Sequence, residues 1–388
     1  MFARKSVKQH FHPDDPILHL MQVFRQMTND CIRTGLTEER TSLKSLSLAC
    51  YPKLKSYEVP SAYKLSAISK ASSILHHYRK LSRTQHVKEP HCRRLTLTTC
   101  YGLRVLGGTL RVPGGMEIAL NGYVKRFLSQ PNIEVRSVAL TTESLTISVH
   151  KRVEPMSCSG TLGIDRNLSN VTLADNENNI EKHDLSRTNA IKSQCRKVKQ
   201  RFSRNDVKVR RRIFSKYGQL ERNRVDWLLH NVSANIVLRA KVKRQAIVME
   251  DLKGIRKLYR KGNGQGSDYR SRLNSWSFAE LQRQIQYKAD WNGIPVIYVR
   301  ASGTSAKCSM CGHRVLPEEN RQLHCPNCGL TVDRDVNAAR NILARGLRFK
   351  RVGSAGEAMV QEPEAGLAKA VGNPESRCRS VDLEAHAK

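Results

Sequence analysis

Residues of two kinds stand in this sequence at spacings that could do chemistry. Cys308-x-x-Cys311 and Cys325-x-x-Cys328 are two close pairs separated by thirteen residues. Four thiolates at that spacing suit a tetrahedral structural Zn²⁺ with no open position, so no catalysis is expected there. His313 and His324 flank the two pairs and are surplus ligands. The second kind is acidic. Asp165 ends the short apolar run Thr161-Leu162-Gly163-Ile164, Glu250 and Asp251 end the run Ala246-Ile247-Val248-Met249, and Asp335 opens a helical pattern with Ala338, Ala339, Ile342 and Leu343 on its inner face. Open α/β sheets place their chemistry outside strand ends, so acids in such positions can converge. At about 4 Å and an effective dielectric near 20, each carboxylate pair would repel by roughly 4 kcal/mol, and a divalent cation removes that cost. Mg²⁺ prefers oxygen ligands, and two such ions about 3.5 to 4 Å apart activate the attacking water and stabilise the leaving oxygen of a phosphodiester. The competing reading is that these are capping or surface acids, Asp335 above all at a helix N-terminus.

Composition bears on that choice. The chain has 388 residues, 39% of them hydrophobic, and carries 67 Lys plus Arg against 34 Asp plus Glu, a formal net charge of +33. So large a charge repels itself unless a polyanion is present, which excludes an ordinary metabolic enzyme and makes nucleic acid the first partner and an acidic membrane surface the second. A chain this basic that gathers acids at sheet ends is better suited to hydrolysing a polyanion than to binding cations for structure. No apolar run approaches the roughly 18 residues that span a bilayer. The N-terminal segment MFARKSVKQHF lacks the apolar stretch of a secretory signal. A reducing cytosol is expected, where the seven scattered cysteines would be free, buried or partly buried thiols.

The elements that must position these groups follow from periodicity. Residues 12–88 read as helical, with Ile17, Leu20, Met21, Phe24 and Met27 at helical spacing after Pro13-Asp14-Asp15-Pro16, and a further helix from about Ser61 to Tyr78. From Arg94 the period becomes two. Leu95, Leu97, Leu103, Val105, Leu110 and Val112 alternate with polar or small residues, glycine pairs mark turns, and strand patterns return at 133–140 and 145–149, predicting a small antiparallel barrel or sheet. Asn170 to Ala174 pairs as a hairpin with the strand ending at Asp165. Residues 192–224 hold thirteen Lys or Arg and two acids, too unbalanced for an internally salt-bridged helix, so Arg196, Lys197, Arg201, Arg210, Arg211 and Arg212 are candidates for nucleic-acid contact. Trp276 and Phe278 suit core packing better than base stacking. The Gly-rich basic segment from Lys261 to Ser267, after Glu250, would suit a lid. Residues 352–388, rich in Gly, Ala, Glu and Pro, read as a disordered tail.

Several motifs together resemble a known family. Gly163-Ile164-Asp165-Arg166-Asn167, Met249-Glu250-Asp251-Leu252, the two cysteine pairs, and Asp333-Arg334-Asp335-Val336-Asn337-Ala338-Ala339-Arg340-Asn341-Ile342 occur in the order seen in TnpB, the transposon-encoded RNA-guided DNA endonucleases ancestral to type V CRISPR effectors. Ser275-Trp276-Ser277-Phe278, Tyr287-Lys288-Ala289 and Thr304-Ser305 add to the resemblance, which is clear from about Leu162 to Leu343 and architectural before it. It implies an α/β RNase H-like (RuvC) nuclease domain with an inserted zinc ribbon, preceded by a helical recognition lobe and a small antiparallel β-barrel. The implied division is 1–11 as the first strand of a wedge domain, 12–88 recognition lobe, 89–155 wedge barrel, 156–302 nuclease domain, 303–332 zinc ribbon, 333–351 last nuclease helix and 352–388 tail. It further implies Asp165, Glu250 and Asp335 as catalytic ligands of Mg²⁺ or Mn²⁺, with Asp333 as the fallback for Asp335. The implied partners are a guide RNA, whose base pairing selects the target, and double-stranded DNA read beside a short motif. The expected assembly is a monomeric ribonucleoprotein in a prokaryotic cytoplasm, nucleoid-associated when bound to DNA. A compact type V effector and an RNA-guided repressor that binds without cutting are the alternatives. An autonomous transposase fits least, since no Tyr or Ser recombinase arrangement accompanies the acids.

Overall fold

The computed structural model describes residues 2–202, 205–259, 264, 266–315 and 321–352, with side chains up to residue 347 other than those of 258 and 259. The expected tail and most of the Gly-rich segment after Tyr259 lie outside the described residues.

Strand β1 (Phe2–His10) leads into α1 (Asp15–Thr37), α2 (Leu43–Cys50) and α3 (Ser61–Ser82). Asp14 caps α1, its Oδ1 accepting from the Ile17 amide at 3.0 Å. Then come β2 (Thr96–Thr99), β3 (Arg104–Leu106), β4 (Thr109–Arg111), β5 (Glu117–Ala119), α4 (Gly122–Leu128), β6 (Ile133–Thr141) and β7 (Ser144–Arg152). These strands do not close into one hydrogen-bonded barrel. They form an antiparallel sheet of order β1-β7-β6-β2 and a separate one of order β3-β4-β5. The positive φ of Gly107, Gly108, Gly114 and Gly115 permits the tight turns that fold the second sheet on itself. A single apolar core joins the helices to the larger sheet, with Met21, Phe24, Met27 and Tyr63 packed against Leu97, Leu140 and Ile147.

The second half begins with the meander β8 (Gly160–Arg166), β9 (Asn170–Asp175) and β10 (Ile180–Asp184), followed by α5 (Ser186–Gln200). A short α6 (Val207–Val209) passes through a π-helical turn, Arg210–Phe214, into α7 (Ser215–Val242). The basic run is thus divided between α5 and the α6–α7 helix, which also carries the amphipathic stretch after it. Strand β11 (Gln245–Asp251), helices α8 (Ser267–Asn274) and α9 (Phe278–Trp291), strand β12 (Val296–Arg300), the short β13 (Gln322–His324) and β14 (Thr331–Asp333), and α10 (Arg334–Val352) complete the order. Five strands make a sheet β10-β9-β8-β11-β12, in which β8, β9 and β10 are antiparallel while β11 runs parallel to both β8 and β12.

Alternation along β8 and β11 gives that sheet two buried faces. Leu162, Ile164, Ile247 and Met249 pack against Leu229, Ile236, Leu281 and Ile285 of α7 and α9. Val248 and Val299 pack against Ile342 of α10 on the other face. Gly163 is what lets α10 lie so close: a Cβ there would stand 2.5 Å from the Ala339 carbonyl oxygen and 2.8 Å from the Leu343 amide nitrogen. No helix among the described residues is long and apolar enough to cross a membrane.

Candidate active site and metal centre

Asp165 and Glu250 sit at the carboxyl ends of the adjacent parallel strands β8 and β11, each one residue beyond the registered pair Ile164 and Met249. Helix α10 crosses the same face and brings Asp335 in its first turn. The three are 6%, 7% and 3% exposed, so none is the surface acid of the competing reading. Asn167 donates to Asp165 Oδ2 at 2.7 Å and to Asn170 Oδ1 at 3.2 Å, and Asn170 donates to Asp335 Oδ2 at 3.1 Å. Thr304 donates to Glu250 Oε1. Burial, then the charges of Glu250 and Asp335, push the Asp165 carboxyl up to about 7 against the opposing hydrogen bond from Asn167. Burial also raises Glu250, opposed by Thr304 and Arg166. Desolvated, mutually repelling oxygen donors are the environment that a hard divalent cation would relieve.

Asp333 and Asp335 differ in their contacts as well as in position. Asp333 caps α10, its Oδ1 accepting from the amides of Asp335 at 2.8 Å and Val336 at 3.2 Å, while its Oδ2 pairs with Lys182 at 2.9 Å. Asp335 alone of the two faces the other acids.

Periodicity gave no sign of two arginines here. Arg166 is 2% exposed and donates to the Glu250 carbonyl, to Gln282 Oε1 at 2.6 Å and to the Phe278 carbonyl at 3.4 Å. Its charge lies beside Asp165 and Glu250 and offsets part of their repulsion. Arg321 reaches from the cysteine segment, its Nη2 lying 2.6 and 2.8 Å from the two Asp335 oxygens. Arg166 was legible only as part of a motif, and Arg321 not at all, because its approach depends on how the cysteine segment folds.

Cys308, Cys311, Cys325 and Cys328 bring their sulfurs within 4.8 Å of one another; no other His, Cys, Asp or Glu group among the described residues gathers its ligand atoms so tightly. The Cys308–Cys328 and Cys311–Cys325 separations are 3.6 and 3.5 Å. Tetrahedral Zn²⁺ with Zn–S bonds of about 2.3 Å requires sulfurs about 3.8 Å apart, so the cluster fits zinc. Each pair lies in a tight knuckle, with Gly312 donating to the Cys308 carbonyl at 3.0 Å and Gly329 to the Cys325 carbonyl at 2.9 Å. Neither histidine joins it: His324 Nδ1 lies 3.0 Å from Thr331 Oγ1. Asn337 of α10 ties the cluster to the acid site, accepting from the Ser309 amide and donating to the Lys307 carbonyl, both at 2.8 Å.

Of the basic candidates, Lys197, Arg201, Arg210, Arg211 and Arg212 are exposed. Arg196 is half-buried and donates to the Ser271 carbonyl at 3.3 Å. Trp276 donates its Nε1 proton to the Asn167 carbonyl at 2.9 Å and lies 4.9 Å from the Phe278 ring, so it packs beneath the acid loop. Among the scattered thiols Cys100 is exposed, contrary to expectation.

Comparison with known proteins agrees with this arrangement. Residues 278–342 match the model of the Cas12f1-like TNB domain. The Cas12f1 chain of a Cas12f1–sgRNA–target DNA complex superposes with a TM-score of 0.60 at 14% identity, covering 84% of this chain and 82% of that one. The mini-RNA-guided endonuclease Cas_phi3 gives 0.51 at 11% identity, covering 88% and 92%. At such identities the likeness is one of fold, and it shows a RuvC-containing fold. A putative RNA-guided DNA endonuclease of Streptomyces pristinaespiralis is 32% identical over 50% of this chain and 46% of its own length. The putative RNA-guided DNA endonuclease InsQ of Escherichia coli is 29% identical over 63% of each chain. TnpB-like protein MJ0751 of Methanocaldococcus jannaschii is 32% identical over 242 residues, which make up 59% of this chain and 86% of that protein. Matched at that identity over most of this relative's length, the chain belongs to the TnpB family.

Proposed function

We propose that this protein is an RNA-guided, metal-dependent DNA endonuclease of a mobile element, cutting double-stranded DNA beside a short transposon-associated motif through one RuvC-like site. The observation that carries the reading is the convergence of Asp165, Glu250 and Asp335, all buried, at the carboxyl ends of two inner strands in a chain with net charge +33. The names of its relatives support the guide RNA and the DNA target. In this reading α1 to α3 form the recognition lobe, the two antiparallel sheets the wedge, and residues 303–332 a structural ribbon. The bacterial and archaeal relatives support work in a prokaryotic cytoplasm, at the nucleoid when DNA is bound.

Asp165, Glu250 and Asp335 would hold divalent ions, which when bound would supply activation of the attacking water and stabilisation of the leaving oxygen. The chain's own residues prepare that chemistry. Asp165, Glu250 and Asp335 hold oxygen donors in place on two strands and a helix, elements more rigid than loops. Asn167, Asn170 and Thr304 fix three of those oxygens by hydrogen bonds. Arg321, on Asp335 here, stands where a scissile phosphate would also need a cation. Lys197, Arg201 and Arg210 to Arg212 would track the guide or the hybrid by its backbone.

Replacing Asp165 by Ala tests the reading: guide-dependent cutting should fall to background while guided DNA binding persists. Continued cutting would remove the assignment. The Cas12f1-like family match favours a compact CRISPR effector as the second reading. A repeat array beside the gene would support it, and transposon ends would not.

A further inference from the structure

On the α9 face of the five-stranded sheet, at the carboxyl ends of β11 and β12, lies a cavity of about 500 Å³. Small-molecule sites fall between roughly 300 and 1,000 Å³, so it is large enough for a nucleotide. Asp251 lines it and directly follows Glu250. Successive strand residues point to opposite faces, so the cavity and the acid site share one strand end from its two sides.

The lining is chemically mixed in a particular way. Phe278, Tyr287 and Tyr298 supply aromatic surface, Gln282 and Gln286 supply amides, and Arg256 supplies a cation whose guanidinium lies 5.7 Å from the Phe278 ring centre. Tyr298 is 37% exposed, so part of its surface is within reach of an incoming group. Its hydroxyl donates to Gln286 Oε1 at 2.7 Å, which fixes both side chains. Gln282 Oε1 accepts from Arg166 at 2.6 Å and its side chain also hydrogen-bonds Tyr298, so Gln282 is held from both sides. Rings for stacking and a guanidinium for a phosphate are among the groups with which proteins hold an unpaired nucleotide, and here the two amides brace the ring and the arginine around them.

We infer that this cavity is a subsite for one unpaired nucleobase of the DNA strand next to the scissile phosphate. The inference rests on the nuclease reading for the identity of the strand, but not for the chemistry of the pocket. Through Gln282 and Arg166, which also donates to the Glu250 carbonyl, a seated base bears on the strand that carries a catalytic carboxylate.

The test uses full-length protein carrying Asp165→Ala and single-stranded oligodeoxynucleotides with 2-aminopurine at each position in turn, since stacking on an aromatic ring quenches that base. Strong quenching at one or two positions is expected. Tyr287→Leu with Tyr298→Leu, which keeps apolar volume but removes the rings, should abolish it and weaken binding roughly 5- to 100-fold. Arg256→Ala should weaken binding without removing the quench. Should the double Leu variant not fold, an abasic site at the quenched position replaces it and should weaken wild-type binding by the same factor. No quenched position, quenching that survives both Leu changes, a harmless abasic site, or stronger quenching with the RNA strand of the same sequence would overturn the inference. Quenching by the Asp165→Ala protein when the wild type with its guide RNA and Mg²⁺ never cuts would sink the nuclease reading alone; cutting by the wild type without quenching would sink the pocket alone.

Discussion

Asp333 and Asp335 are two residues apart on the same short motif, and hydrogen bonding separates their roles. Asp333→Ala removes a helix cap and an ion pair, so thermal unfolding should show a loss of about 1 kcal/mol with cutting retained. Asp335→Asn keeps the side chain's shape, so cutting should disappear with little change in the unfolding midpoint. The reverse pattern would exchange the two assignments. At this scale much was legible in the sequence. An acid that ends a run such as Ile247-Val248-Met249 must lie at the rim of a buried strand, and two Cys-x-x-Cys pairs can hardly avoid a common metal. The contacts of Asn167, Asn170, Thr304 and Arg321 were not legible, because they depend on where loops far apart in the chain place short side chains.

Elements decide whether those residues meet. Gly163→Ala should push α10 off β8 and separate Asp335 from Asp165; cutting should fall by at least tenfold while zinc content stays the same, and undiminished cutting would show that the helix can yield. At the end of β9, Asp175 is buried between Arg239 of α7 and Lys243 just beyond that helix. Burial alone would raise its carboxyl, but hydrogen bonds from Asn179, Lys243 and Arg239 hold it well below the usual range. A lowered carboxylate contributes stability that is present above its unfolded value of about 3.9 and is lost as pH falls through the folded one. Asp175→Asn should therefore cost about 3 kcal/mol at pH 7, with the gap from wild type closing below about pH 4 in denaturant titrations. A gap constant from pH 7 to 2 would rule out this ion-pair account. Strand β10 escaped the sequence reading because Ile180-Glu181-Lys182-His183-Asp184 is a polar edge strand without alternation. The pairing of β1 with β7, from Phe2 with Arg152 to His10 with Ser144, escaped periodicity for another reason. Period two identifies a strand but not a partner some 140 residues away.

At the scale of the whole molecule, charge and metal act on separate parts. Arg210, Arg211 and Arg212 are exposed at the π-helical turn. Replacing one of them by Gln should reduce the slope of log affinity for nucleic acid against log salt by about 1 without altering target choice. An unchanged slope would move the contact elsewhere. Removing zinc should act differently. The ribbon carries Arg321 against Asp335 and ties to Asn337, so a chelator strong enough to strip the four cysteines should abolish cutting that added Mg²⁺ cannot restore.

The central claim is guided, metal-dependent cutting at one acid site. Its most direct test is to purify the protein with RNA from cells that carry its native genomic flank, sequence that RNA, and incubate the complex with Mg²⁺ and plasmids whose targets match it. The account predicts one discrete RNA and cleavage only of matched plasmids, lost in Asp165→Ala. Absence of a specific RNA, or cleavage that ignores the match or survives that substitution, would contradict it.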